Sequence, residues 1–217
     1  VLLLDEPFSS LDTPLRAQMR AELLRIHREL RLTVLLVTHD QAEAMALGQR
    51  LGVLHRGSLE QVGAPLEVYR RPNTVFVASF LGAPPMNLLR GALRVRDGGV
   101  VFVPTPLSGG NSTPDVCWRL DGTNPLTLRS HENCVLGFRS EHGTVVPDST
   151  PSGGALPAFC SHREQLGART LVHATVQGQP ITAEVSDPAE IRAGSVFSLA
   201  GPREFVVFDA ESGQRLD

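Results

Sequence analysis

The chain of 217 residues contains no lysine; all 20 of its Lys+Arg positions are Arg. A phosphate cradle of the G-x-x-x-x-G-K-[ST] kind needs Lys to reach the outer phosphates, so these residues hold none. Cysteine is scarce: Cys117, Cys134 and Cys160, with no C-x-x-C spacing. That count and spacing do not make a disulfide framework, and a reducing compartment is the simplest reading. Aromatics are 5% of the chain, which argues against a base-stacking surface. Positive charge is not in excess. A formal net charge of -3 gives no electrostatic footprint for nucleic acid. No apolar run approaches a membrane span. The N-terminal apolar run is too short for a signal peptide and lacks a basic flank. The first residue is Val, not Met. Together with the missing Lys, this raises the expectation that the N-terminal half of a larger domain lies outside the chain.

What is present suits a folded protein. Hydrophobic residues are 41% and charged residues 20%, enough for one large or two small packed domains.

Residues 1–7 (VLLLDEP) are the most informative stretch. An unbroken apolar run fits a strand buried on both faces of a parallel sheet. Such a strand delivers Asp5 and Glu6 at its carboxyl edge, where open α/β sheets bind ligands. Asp12-Thr13-Pro14 is a helix start, with a capping side chain and a proline in the first turn. Leu15, Met19, Leu23, Ile26 and Leu30 then form one apolar stripe, read as core packing. Residues 33–38 (TVLLVT) predict a second strand, ending at His39. Strand, helix, strand makes a right-handed parallel β-α-β unit. That topology brings Asp5, Glu6 and His39 to one sheet edge. Asp40 and Glu43 predict a capping box opening a short helix through Leu47. Residues 51–55 and 59–62 predict a hairpin around Arg56-Gly57-Ser58. Residues 65–69 and 74–81 predict short helices. Ala83-Pro84-Pro85 then marks a domain boundary.

Beyond it the pattern is short strands with turn residues between them: 93–95, 100–103, 135–138, 170–176, 181–185, 195–199 and 204–208. This predicts a small all-β barrel or sandwich. Residues 104–114 and 147–157 are rich in Pro, Gly, Ser and Thr and read as loops.

These residues resemble a known family. Residues 1–12 (VLLLDEPFSSLD) are similar to the Walker B motif and D-loop of ABC transporter ATPases. Residues 38–45 (THDQAEAM) are similar to the switch-histidine region of importers of the maltose and glycerol-phosphate type. Residues 57–65, 67–69, 76–82 and 85–89 continue the likeness. Residues 136–142 (LGFRSEH) resemble the Gly-x-Arg-Pro-Glu segment of the transport-associated OB-like domain, with Ser140 in place of the proline. Residues 164–167 and 208–216 resemble later parts of that domain. The likeness is weak over residues 91–133.

The resemblance implies a fold and a chemistry. The fold is α/β, a partial P-loop NTPase over residues 1–82, followed by an all-β OB-like barrel domain over residues 83–217. Asp5 would hold Mg²⁺ through water, and Glu6 would be the general base for the attacking water. His39 would contact the γ-phosphate. Ser10, Leu11 and Asp12 would form the D-loop, facing a second subunit across bound ATP. The implied partners are a homodimer or paired ATPase subunit, transmembrane permease subunits and, indirectly, a solute-binding protein. The implied location is the cytoplasmic face of the inner membrane, and the cargo a solute such as a sugar. The chain by itself is expected to be inactive and poorly soluble, because the phosphate cradle and part of the sheet are missing.

Other readings compete. A non-catalytic sensing or interaction module over residues 86–217 is one. A chromosome-maintenance or repair ATPase shares the Asp-Glu-Pro and D-loop pattern, but the importer-like tail from Gly57 argues against it. Residues 107–111 (LSGGN) imitate the family signature, yet they follow Walker B and sit among prolines, so they read as a loop. His131 with Cys134, and Cys160 with His162, have tolerable zinc spacing but match no zinc-ribbon pattern. Trp118 and Phe138 are candidates for a ligand face, with core packing the better reading.

Overall fold

The computed structural model describes residues 1–96, 99–107, 117–120, 130–146, 154–185 and 191–216. The chain divides into two compact units, Val1–Arg70 and Arg71–Asp217.

In the first unit, β1 (Leu2–Asp5), α1 (Thr13–Leu30) and β2 (Val34–Val37) form the β-α-β unit. β1 and β2 pair in parallel, with Leu2 opposite Val34 and Asp5 opposite Val37. Asp12 caps α1 as its composition predicts: its carboxylate accepts from the Leu15 N–H at 2.9 Å. Arg31, in the left-handed conformation, ends the helix. α2 (Gln41–Leu47), the hairpin of β3 (Leu51–His55) and β4 (Ser58–Gly63), and α3 (Pro65–Arg70) complete the unit. All four follow the sequence expectation to within a residue or so.

This unit leaves apolar surface uncovered, the outcome expected where part of the sheet is missing: burial alternates along β1 and β2, and Leu3 and Leu35 are 69% and 60% exposed. The stripe of α1 is only partly covered. Leu15, Met19 and Leu30 are exposed, and no residue of the helix is fully buried. A two-stranded ribbon offers one helix one face; it has no second layer for the other.

The second unit begins with α4 (Val75–Phe80), capped by Thr74. The strands that follow are β5 (Asn87–Arg96), β6 (Gly99–Pro104), β7 (Trp118–Arg119), β8 (His131–Phe138), β9 (Thr144–Val146), β10 (Ala155–Leu166), β11 (Arg169–Val176), β12 (Gln179–Val185), β13 (Val196–Ala200) and β14 (Val206–Asp209). They make two five-stranded sheets, ordered β12-β11-β10-β13-β9 and β14-β8-β5-β6-β7. One apolar core draws on both: Leu89, Phe102, Trp118 and Phe138 from one sheet, Leu156, Val172 and Leu199 from the other. Mostly β, with few helices, is the architecture the turn spacing predicts.

β10 corrects the reading of residues 147–157 as a loop, since the strand starts at Ala155. Its sequence hides it. Pro157 sits within it, and its far end from Ser161 onward is exposed and polar. A bulge between Cys160 and His162 breaks the alternation as well.

The sheets are joined by two side-chain amides. Asn87 on β5 donates to the Thr182 carbonyl at 2.8 Å and accepts from the Thr182 N–H at 2.7 Å. Gln179 on β12 does the same for Arg90, donating to its carbonyl at 2.8 Å and accepting from its N–H at 2.7 Å. Each amide imitates a peptide group, so β5 and β12 behave like ladder neighbours across the gap between sheets.

Candidate functional site

The site is built where β1 and β2 end. The Glu6 N–H donates to the Val37 carbonyl at 2.8 Å, one step beyond the last ladder pair. Glu6 then turns into the left-handed region at φ 45°, which costs a non-glycine residue energy. The turn is closed by Ser9, whose N–H and hydroxyl both donate to the Glu6 carbonyl at 3.2 and 3.0 Å. This places the Glu6 carboxylate beside the exit of β2, where His39 stands.

His39 Nδ1 and Glu6 Oε1 are 3.0 Å apart, with the side chains 73% and 46% exposed. The hydrogen bond to Glu6 raises the His39 pKa above its ordinary value. The Glu6 charge adds to this, and Asp40 and Glu43 contribute further. Asp5 lies one residue earlier, exposed at the same edge and paired in register with Val37. The topology therefore brings Asp5, Glu6 and His39 together, as the β-α-β reading predicts.

Behind this edge lies a network that sequence reasoning missed. Glu43 is buried. It accepts from the Thr38 hydroxyl at 2.7 Å and faces Arg16 Nε at 3.8 Å. Arg16 donates to the Asp40 carboxylate and to the Leu11 carbonyl, each at 3.1 Å. Asp40 caps α2 by accepting from the Ala42 and Glu43 N–H groups. The expected capping box is thus only half made: the Thr38 hydroxyl, not Glu43, accepts from the Asp40 N–H. Arg16 ties the Ser10–Leu11–Asp12 turn to the segment carrying His39. Its place four residues after the Asp12 cap was the available signal, but nothing in sequence tells an Arg bound inward from one on the solvent face.

A divalent magnesium ion takes one or two carboxylates plus phosphate oxygens and water. Adjacent exposed carboxylates at a strand end, Asp5 and Glu6, are compatible with that donor set.

The remaining sequence candidates fall elsewhere. Of residues 107–111, all but Leu107 lie outside the described residues. Cys134 and Cys160 are buried in the core; the Cys134 thiol is pushed up to about 11, chiefly by desolvation. The zinc pairing of Cys134 and Cys160 has no counterpart among the described residues. Trp118 and Phe138 are core residues, packed edge to face at 5.5 Å, with the Trp118 indole donating to the Leu199 carbonyl.

Relatives give the class of protein. No protein-family model matches the chain. Curated relatives match its entire length and carry the name of import ATP-binding proteins, and the chain is similar to them from end to end while spanning little more than half of their length. In particular, it is 42% identical to the sn-glycerol-3-phosphate import ATP-binding protein UgpC of Yersinia enterocolitica over 219 residues. It is 38% identical to UgpC of Cupriavidus metallidurans and 40% identical to UgpC of Escherichia coli O157:H7. The chain covers 57% of each of these three proteins. Among solved structures, the cytoplasmic molybdate-binding protein ModG overlaps 56% of the chain at a TM-score of 0.39 and 16% identity, too distant to bear on fold or function.

Proposed function

We propose that the chain supplies the hydrolytic edge of an ABC importer ATPase, followed by an OB-like regulatory domain. In this reading residues 1–82 belong to the nucleotide-binding domain and residues 83–217 to the OB-like barrel. The observation that carries it is the 3.0 Å contact between Glu6 and His39 at the carboxyl ends of parallel neighbours. Glu6 is the general base: its carboxylate takes a proton from the water that attacks the γ-phosphorus. His39, held by Glu6, orients that water and donates toward the phosphate. Asp5 is the residue that would hold Mg²⁺, which supplies charge neutralisation at the phosphates when bound. Residues Ser10, Leu11 and Asp12 face a second nucleotide-binding subunit, and Arg16 sets their position relative to His39.

The complete protein, with a phosphate cradle, hydrolyses ATP as a dimer or paired subunit. It sits peripherally on the cytoplasmic face of the membrane against permease subunits, which receive solute from a binding protein. Among the described residues no helix is long and apolar enough to cross a membrane. The names of the relatives make sn-glycerol-3-phosphate the first solute to test, within a wider class of sugars and polyol phosphates. The test of the chemistry is ATP hydrolysis by the chain joined behind the phosphate-binding portion of a relative. Glu6→Gln is expected to lower kcat by roughly 10²–10⁴-fold while ATP binding persists. Undiminished turnover in that variant removes Glu6 as the base.

A further inference from the structure

Far from that edge in sequence, the β10–β11 hairpin carries a second cluster. His162 on β10 pairs in register with His173 on β11. Glu164 lies two residues beyond His162, so it shares the same face of the strand. The ligand atoms of all three lie within 4.8 Å of one another. The Glu164 carboxylate is 3.9 Å from His162 Nε2 and 3.5 Å from His173 Nε2.

A hydroxyl stands beside the Nδ1 of each ring. Ser161 donates its hydroxyl hydrogen to the His173 carbonyl at 2.9 Å. Its oxygen, 3.2 Å from His162 Nδ1, is therefore left to accept a proton from that nitrogen. The Thr182 oxygen stands at the same 3.2 Å from His173 Nδ1, and it accepts there in the tautomer that carries the proton on Nδ1. In the tautomer with both Nδ1 atoms protonated, which a metal ion would select, each neutral imidazole presents a lone pair at Nε2. Two lone pairs and a carboxylate then converge on one point with no hydrogen between them. His173 Nε2 is cut off from solvent and has no hydrogen-bond partner. Convergent acceptors of this kind repel unless a cation lies among them.

We propose that His162, Glu164 and His173 form a binding site for a divalent first-row transition ion, of which Zn²⁺ is the type. Two imidazoles and a carboxylate are a familiar zinc donor set that keeps one coordination position open to water. Zinc bonds of about 2.0–2.2 Å place two ligands of a tetrahedral ion about 3.3–3.6 Å apart, close to the 3.5 and 3.9 Å from Glu164 to the two rings. Ser161 and Thr182 are the outer hydroxyls that fix ring orientation, as such partners do in metal sites. The rings are stacked, 4.3 Å apart and 8° from parallel, so capture requires them to tilt toward the shared point. The exposed side chain of His162 is free to make that move. The bound ion would clamp β10 to β11 at the half of β10 that is most exposed.

The test uses the full chain after treatment with a chelator. Isothermal titration with Zn²⁺ is expected to show one ion per chain. Co²⁺ should give visible absorption bands without thiolate charge transfer, since no Cys is a ligand. His162→Ala and Glu164→Gln, both at exposed positions, are each expected to weaken Zn²⁺ by about tenfold or more, with His131→Ala as the unaffected control. Thermal unfolding without metal checks that the variants fold. Equal affinity in wild type and both variants overturns the proposal. So does the absence of saturable Zn²⁺, Ni²⁺ or Cu²⁺ binding, which would leave a proton as the cation that the cluster shares.

Discussion

Gln179→Met removes one of the two amides that join the sheets while keeping the length and much of the volume of the side chain. The wild-type amide is buried and makes three hydrogen bonds: to the Arg90 N–H, the Arg90 carbonyl and the Thr105 carbonyl, at 2.7, 2.8 and 2.8 Å. Each is worth about 0.5–1.5 kcal/mol net. The Arg90 carbonyl keeps a second donor, the Thr105 N–H at 2.9 Å. Arg90 and Thr105 are exposed residues, so water can replace part of what is lost. The expected cost is therefore about 2–3 kcal/mol, below the figure for three stranded buried groups. For a unit of this size that is a fall in Tm of roughly 4–12 °C. Trp118, the only Trp, lies in the shared core and reports unfolding of this unit by fluorescence. Asn87→Ala in the same background should cost less than its effect alone, because the two amides hold the same pair of strands. A loss below about 0.5 kcal/mol for Gln179→Met, the range of neutral surface changes, refutes the claim that the amide holds the sheets together.

Further outcomes are expected. Glu6→Gln should lower the His39 pKa toward its ordinary value of about 6.5, read by NMR titration of the imidazole. Because the native value is raised, the contact stabilises the fold fully below about pH 6.5 and loses that contribution as pH rises through the native value. A His39 titration unchanged by the substitution contradicts the pairing. Arg16→Ala should destabilise the first unit by about 1–2 kcal/mol, less than for a fully buried pair because Arg16 is partly exposed. Urea unfolding followed by the helix signal in circular dichroism checks this, and Glu43→Gln, which keeps the Thr38 bond, should cost less. Gly91→Ala would put a methyl 2.3 Å from the Val103 carbonyl oxygen and 2.5 Å from the Phe102 ring. A loss of about 3 kcal/mol is expected in thermal denaturation, and a neutral result would mean that β5 and β6 can part there.

Much of this protein is legible one residue at a time. The Asp12 and Asp40 caps, the hairpin about Gly57 and the strand pair ending at Asp5 and Val37 each follow from local rules of spacing and composition. The edge of the sheet is legible too, because a right-handed crossover leaves parallel strands pointing the same way. β10 was not, since a proline, a bulge and an exposed polar half erase its alternation. Neither was the weak cover of α1, because an apolar stripe says what a helix can bury and not what stands opposite it.

The sequence by itself determined the likeness to import ATP-binding proteins and the carboxylate–histidine edge, because those depend on residues close in the chain and on one crossover. Only the tertiary structure decided which polar side chains turn inward. Arg16 to Glu43, Gln179 to Arg90 and His162 to His173 are meetings between distant or cross-strand residues. The energy of such a meeting comes from burial and from convergent hydrogen bonds, which exist only once the chain has folded.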